Sequence, residues 1–287
     1  MSRNSSRRNV VPQAPEPRAT TPSSAHRTSQ NPFGISFVVP TEVVELPSQG
    51  KYYDDNSSMF GKSSLEIKQM TAKEEEILSN ISFVEDGSMI DRLLSSILID
   101  KSVNTRDIMA ADKNALVFAA RKSSYGAEYK VRQFCYNCNS EQEFVFDLTK
   151  CKIKTEIDED IMKEETTGFF TFDLPQSELK VTIKVLLPED EEYLESQAER
   201  AQKLNIEQSS TLNFLRRIVM DVDNVTDPKL LNQLFEVLPV LDIRKIKSVS
   251  NQISPSLDTT QEITCGSCGH ATESEVPFSL GFFWPEL

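Results

Sequence analysis

The sequence predicts an α+β fold: a mixed N-terminal part, two strand–turn–strand units far apart in the chain, and a mainly helical insertion between them. Three observations carry this reading. The segments around the C-x-x-C pairs Cys135–Cys138 and Cys265–Cys268 alternate apolar and polar residues, as half-buried strands do. Residues 88–99 instead place Ile90, Leu93, Leu94 and Ile97 at i, i+3, i+4 and i+7, one face of a helix. From about 189 to 251 the helical period recurs with few breaks.

The chain has 287 residues with 38% apolar content, enough for one large or two ordinary domains. Residues 1–32 are rich in Ser, Arg, Pro and Thr and too poor in apolar groups to offset ordering entropy, so a disordered tail is predicted. They set Arg3, Arg7, Arg8, Arg18 and Arg27 against Glu16, a charge of +4, which leaves −17 on the rest of a chain whose total is −13. So acidic a body argues against general nucleic-acid binding, which rests on Lys and Arg meeting phosphates. No window is apolar enough for a membrane span. The tail lacks the apolar core of a secretory signal, and Pro12, Pro15, Pro17 and Pro22 interrupt any amphipathic targeting helix.

A mixed part is predicted over 33–150, with order beginning near "GISFVVP" (34–40). The turn-rich "ELPSQGKYY" (45–53) precedes a strand at 64–70 with Leu65 and Ile67 on one face. Thr71 followed by Glu74 reads as a capping box opening a helix over 71–80. The 88–99 helix follows, then one over 112–123, capped by Asp112 and stopped near Gly126. The period then drops to two: "EYKVRQF" (128–134) enters the first C-x-x-C, and "EQEFVFDL" (141–148) leaves it with Phe144 and Phe146 alternating.

The insertion is predicted over 151–258. It opens on an acidic, loop-like stretch (152–167) and a strand at 178–187 through Leu179, Val181, Ile183 and Val185. Helices are predicted at 189–203, 211–221, 227–238 and 240–251, the third opened by Asp227 as N-cap and Pro228 in its first turn. The last part, 259–287, holds the second C-x-x-C, with an extended segment (255–264) leading in and another (271–278) leading out.

The five cysteines are an odd number, and four fall in close pairs, which is the arithmetic of a metal site in a reducing compartment and not of a secreted disulfide framework. A C-x-x-C turn converges two sulfurs on one ion, and tetrahedral zinc takes four. The two turns between strands give a zinc-ribbon-like pattern with one structural zinc per chain on Cys135, Cys138, Cys265 and Cys268. Redox pairs, an iron–sulfur cluster and metal-free turns are the alternatives. Neither pair opens a helix after a strand, as a thioredoxin-like motif does, and cluster ligands are more compactly spaced. Cys151 reads as a plain thiol, and His270 as a neighbour of the site and not a ligand.

Catalytic motifs are missing from the sequence. "GKSS" (61–64) resembles the end of a phosphate loop, but Asn56 stands where the first glycine belongs. There is no GxSxG and no HExxH. Of the two histidines, His26 lies in the tail, so a Ser/His or Cys/His pair has almost nothing to draw on. The acidic runs 74–76, 158–160 and 189–192 read as solvated faces or helix N-termini. The chain ends on "SLGFFWPEL", with Phe282, Phe283 and Trp284 either docking on their own domain or inserting into a partner.

The order of these blocks carries a resemblance. "LPSQGKYY", "EIKQMTAKEEEIL", "DRLLSSILID", "DKNALVFAARKSSYG", a CxxC with "FDL", a helical insertion, CxxCG and a terminal "FFWP" resemble the T-even-type baseplate hub proteins of contractile-tailed bacteriophages over roughly 35–287. The resemblance implies a structural component of the virion's tail baseplate, made in the host bacterial cytoplasm. Its partners would be other baseplate and tail proteins, with no small-molecule substrate, no membrane and no catalytic residues to carry over. A hub-assembly chaperone and a zinc-ribbon nucleic-acid binder are the alternatives to a hub subunit.

Overall fold

Each C-x-x-C turn is carried by an antiparallel hairpin, as the period-two alternation requires. The computed structural model describes residues 38–154, 157–163, 168–204, 209–278 and 280–283; the tail reading at 1–32, most of "GISFVVP" and Trp284 lie outside them. The first hairpin pairs β1 (Thr41–Glu45) with β2 (Ser64–Lys68), and Leu65 and Ile67 both face the core. Between these strands, Gly50 sits at φ +69° against the backbone of Gly61 and Lys62, where a Cβ would collide.

Helix α1 (Ala72–Ser79) begins at the capping box: the Glu74 carboxylate accepts from the Thr71 backbone N–H at 2.9 Å and hydroxyl at 2.6 Å. Glu74 is fully buried and also accepts from Lys68 at 2.8 Å and Ser96 at 2.5 Å, so it ties α1 to β2 and to α3 (Met89–Ile97). A short helix, α2 (Ile81–Glu85), fills the gap, capped by Asn80. On α3 the buried face is Met89, Leu93, Leu94 and Ile97, with Ile90 packed at its margin.

Helix α4 (Ala110–Tyr125) is the central element, with every residue from Ala115 to Arg121 buried. It ends at Gly126 with φ +92°. Asp112 does not cap it. The residue lies inside the first turn, fully buried, and accepts from Ser48 N–H (2.9 Å), the Ser48 hydroxyl (2.6 Å) and the Tyr53 hydroxyl (2.6 Å). Tyr53 in turn accepts from the Met109 N–H at 2.9 Å. Burial, then the adjacent carboxylate, pushes the Tyr53 phenol far up, so it stays a donor. The negative group sits at the helix N-terminus as the dipole favours, but it serves the 46–53 loop.

The second and third hairpins are β3 (Glu128–Phe134) with β4 (Glu141–Asp147), and β11 (Thr260–Thr264) with β12 (Ala271–Glu275). Short strands β5 (Lys152–Ile153) and β10 (Leu257–Asp258) pair where the chain leaves for the insertion and returns from it.

The insertion is less helical than its sequence predicts. It contains a four-stranded antiparallel sheet, ordered β6 (Met162–Lys163), β7 (Phe170–Asp173), β8 (Lys180–Ile183) and β9 (Val219–Val222). Strand β6 lies in the stretch expected to be a loop, and β9 in the last turn of the helix expected over 211–221. Helix α6 (Ser210–Ile218) stops because Val219 and Val222 gain more by pairing with Ile183 and Val181 in a buried sheet than by continuing a helix. Helices α5 (Pro188–Leu204), α7 (Pro228–Val237) and α8 (Val240–Ile253) match expectation, and the Asp227 side chain caps α7 through the Lys229 N–H at 2.8 Å. Asp242 of α8 is buried and accepts from the N–H groups of Gln176 and Ser177, which fixes the β7–β8 turn.

Glu74 generates a pH prediction. Burial alone would raise its carboxyl, but the bonds from Lys68, Ser96 and Thr71 outweigh burial and bring it from 4.5 to about 2. The folded value is below the unfolded one. Its stabilisation is therefore complete above pH 4.5 and is lost as pH falls from there towards 2. Glu74→Gln should cost roughly 1–3 kcal/mol at neutral pH and flatten the acid limb of stability, read from urea unfolding along a pH series.

Candidate metal centre

The turn after β3 and the turn after β11 are built alike. In the first, Cys135 N–H donates to the Ser140 carbonyl (3.0 Å) and Asn139 N–H to the Cys135 carbonyl (2.9 Å). In the second, Cys265 N–H donates to His270 (2.9 Å) and Gly269 N–H to Cys265 (2.8 Å). Asn139 and Gly269 both adopt positive φ, +54° and +69°, which turns the chain back into its second strand. Asn and Gly are the residues that tolerate this region at least cost. Each leading sulfur accepts a turn amide: Asn137 N–H to Cys135 Sγ and Cys268 N–H to Cys265 Sγ, both at 3.4 Å.

The structure brings all four predicted ligands together. Their Sγ atoms lie within 4.8 Å of one another, with Cys135 to Cys268 at 3.8 Å and Cys138 to Cys265 at 3.7 Å. A tetrahedral ion with bonds of about 2.3 Å sets its ligands about 3.8 Å apart, so both cross-turn distances fit. Disulfide partners stand at about 2.0 Å, far closer. Cys135 and Cys265 are buried, while Cys138 and Cys268 face solvent. His270 contributes only its main chain to this geometry; its side chain is not in the cluster. Cys151 lies apart from the group, half-buried, with its thiol pushed up by burial.

Electrostatics shows what the cluster calls for. Burial works against the Cys265 thiolate, yet the Cys268 amide and the Gln142 side chain bring it down from 9.0 to about 5. Cys268 has the His270 amide and Asn137 in its favour, but its sulfur neighbours Cys265 and Cys138 push it up from 9.0 to about 11. Ser140 favours the Cys138 thiolate. Thiolates packed this closely oppose one another's ionisation, and a divalent cation at their centre removes the opposition. The donor set is soft and fourfold, which suits zinc.

Two glutamines join the two cysteine-bearing hairpins, and the sequence reading missed both. Gln142 of β4 donates to Cys265 Sγ at 2.8 Å and accepts from Gly266 N–H at 2.8 Å. A Cβ on Gly266 would stand 3.3 Å from the Gln142 oxygen, so glycine allows this close approach. Gln261 of β11 accepts from Asp147 N–H and donates to the Asp147 carbonyl, both at 2.9 Å, and so imitates a ladder partner for β4. The signal was legible. Gln142 shares its strand face with buried Phe144 and Phe146, and Gln261 with buried Ile263. A polar residue on an inward face needs a partner.

Of the aromatic residues proposed for a partner interface, Phe282 and Phe283 turn inward: both are buried in their own chain. The Phe282 ring meets Phe118 at 4.8 Å and Tyr129 at 5.0 Å between centroids. Its carbonyl accepts from buried Arg121 at 2.8 Å, and the same guanidinium donates to the Gly126 carbonyl at 3.0 Å. Apolar area and a buried cation together hold this segment on α4 and β3. Gln261→Ala should strand both Asp147 backbone groups and cost about 1–3 kcal/mol, measured by urea unfolding, with no change in the number of thiols counted by a thiol reagent.

No curated protein and no solved structure matches this sequence. A family profile described as T4 bacteriophage base plate protein matches residues 39–284. That span holds both cysteine-bearing hairpins, all four clustered cysteines and the whole insertion, so the chain belongs to the T4 bacteriophage base plate protein family.

Proposed function

We propose that this protein is a structural subunit of the baseplate hub in a contractile phage tail, made in the host cytoplasm and retained in the virion. The family match over 39–284 carries the reading. A hub subunit works through contacts with other baseplate and tail proteins and needs no active site, which agrees with the lack of catalytic motifs in the sequence. The −13 charge favours protein partners over nucleic acid.

The four cysteines would hold one zinc. Four thiolates leave no open position for water, so such an ion stabilises structure and does not activate a nucleophile. Its binding energy becomes folding energy for the paired turns. Elemental analysis of the purified chain should give one zinc per chain, lost in Cys265→Ser together with thermal stability. Gln142→Ala should keep the zinc but weaken its affinity about 10–100-fold in a chelator competition. A metal-free wild type with unchanged stability would remove zinc from the reading and leave the family assignment standing.

Quantitative mass spectrometry of purified phage particles should find the chain at a fixed ratio to other baseplate proteins. Finding it in infected cells and not in particles would make it a hub-assembly chaperone.

A further inference from the structure

The hairpin of β1 and β2 keeps one edge open. Gln69 N–H donates to the Pro40 carbonyl and Leu46 N–H to the Ser63 carbonyl, both at 2.9 Å. By antiparallel alternation, the residues of β1 that exchange bonds with β2 are therefore Glu42 and Val44. Thr41, Val43 and Glu45 turn their N–H and C=O groups the other way, where no described residue meets them. The far edge of β2 is covered, since Ile99 N–H donates to the Glu66 carbonyl at 3.0 Å. Strand β5 has an open edge too. Lys154 N–H donates to the Ser256 carbonyl at 2.9 Å and Lys152 stands opposite Asp258, so Ile153 turns its backbone groups away from β10. These also meet no partner among the described residues.

Both strands border one cleft of about 410 Å³, formed by residues 42–45, residues 151–153 and, from α4, Ala115, Phe118 and Ala119. The two strands do not pair with each other. The chemistry of the cleft selects its occupant. Rows of free N–H and C=O groups are satisfied by extended backbone, which offers donors and acceptors alternately to its two sides. The α4 surface is apolar and small at both alanines, so every second side chain of the occupant is apolar. Charge at the rim balances: Glu42 pairs with Lys122 at 2.9 Å, and Glu45 and Lys152 are exposed and opposite in sign. An occupant of low charge fits. A second copy of this chain does not. Every described strand is already bonded within a sheet, so a β1 arriving from another copy has only one free row and leaves Ile153 unmatched.

We propose that this cleft takes an extended segment of a different protein by strand addition. The segment's backbone pairs with Thr41, Val43 and Glu45 on one side and with Ile153 on the other, and its alternate side chains pack on Ala115, Phe118 and Ala119. The inference uses no residue of the cysteine cluster and stands independently of the hub reading.

Amide hydrogen exchange of the full-length chain, followed by NMR, tests it. The probe is a capped eight-residue peptide that alternates valine with threonine between terminal lysines. In the free chain the Val43 and Ile153 amides should exchange without protection. With the peptide at about 1 mM both should slow about tenfold or more, while exposed amides elsewhere keep their rates. The same peptide N-methylated at alternate residues should protect neither. Val43→Pro removes the outward N–H and spares the bonds to β2, so it should weaken peptide binding about tenfold. Should that variant unfold the chain, the N-methylated peptide decides by itself. Val43 and Ile153 amides already protected in the free chain overturn the proposal: protection lost on dilution assigns the cleft to a second copy, and protection kept assigns it to the chain itself. No protection at about 1 mM peptide also overturns it. So does equal protection by the N-methylated peptide, which would mean side-chain adhesion without strand pairing.

Discussion

Four sulfurs within 4.8 Å impose one geometric condition on the whole chain. The backbone leaves Cys138, runs through the entire insertion, and must return to Cys265 with its thiol 3.7 Å from where it left. Everything between is a closed excursion whose base is fixed by the two turns. Protein groups alone already approximate this closure: Gln142 grips the second turn and Gln261 completes the edge of β4. The short β5–β10 pair repeats the closure one step further out. A metal at the centre would act on a frame that is already assembled, which is the economical way to convert ion affinity into rigidity.

Elsewhere the fold is held by a few buried charges, each spent on backbone that the core cannot otherwise satisfy. Asp112 holds the 46–53 loop, Asp242 the β7–β8 turn, Glu74 the junction of α1, β2 and α3, and Arg121 the C-terminal segment. None pairs simply with one opposite charge in water. Each is surrounded by several hydrogen-bond partners, the condition under which burying a charge is tolerable. Their common effect is to make loops into fixed parts of the surface. That matters for a baseplate-family protein, whose contacts with neighbours depend on surfaces that keep their shape.

The four-cysteine cluster joins the two cysteine-bearing hairpins. The inward turn of Phe282 and Phe283 assigns these two rings to the core.

The sequence by itself determined whatever depends on near neighbours. Both cysteine-bearing hairpins, the Thr71–Glu74 capping box, the Asp227–Pro228 start of α7 and the ligand-like pairing of the cysteines follow from spacings of one to four residues. These are distances over which local sterics and hydrogen bonding decide. Only the tertiary structure decided the rest. Val219 and Val222 form a strand because β8 offers them a buried partner; their own segment reads as helix. Asp112 has the chemistry of a cap, yet Ser48 and Tyr53, more than fifty residues earlier, claim its oxygens. Phe282 points inward because Arg121 and Phe118 wait there, across 161 residues in the case of the hydrogen bond. Local periodicity says which face of an element is apolar, but it cannot say which distant surface will meet that face, and burial energy is settled only at the meeting.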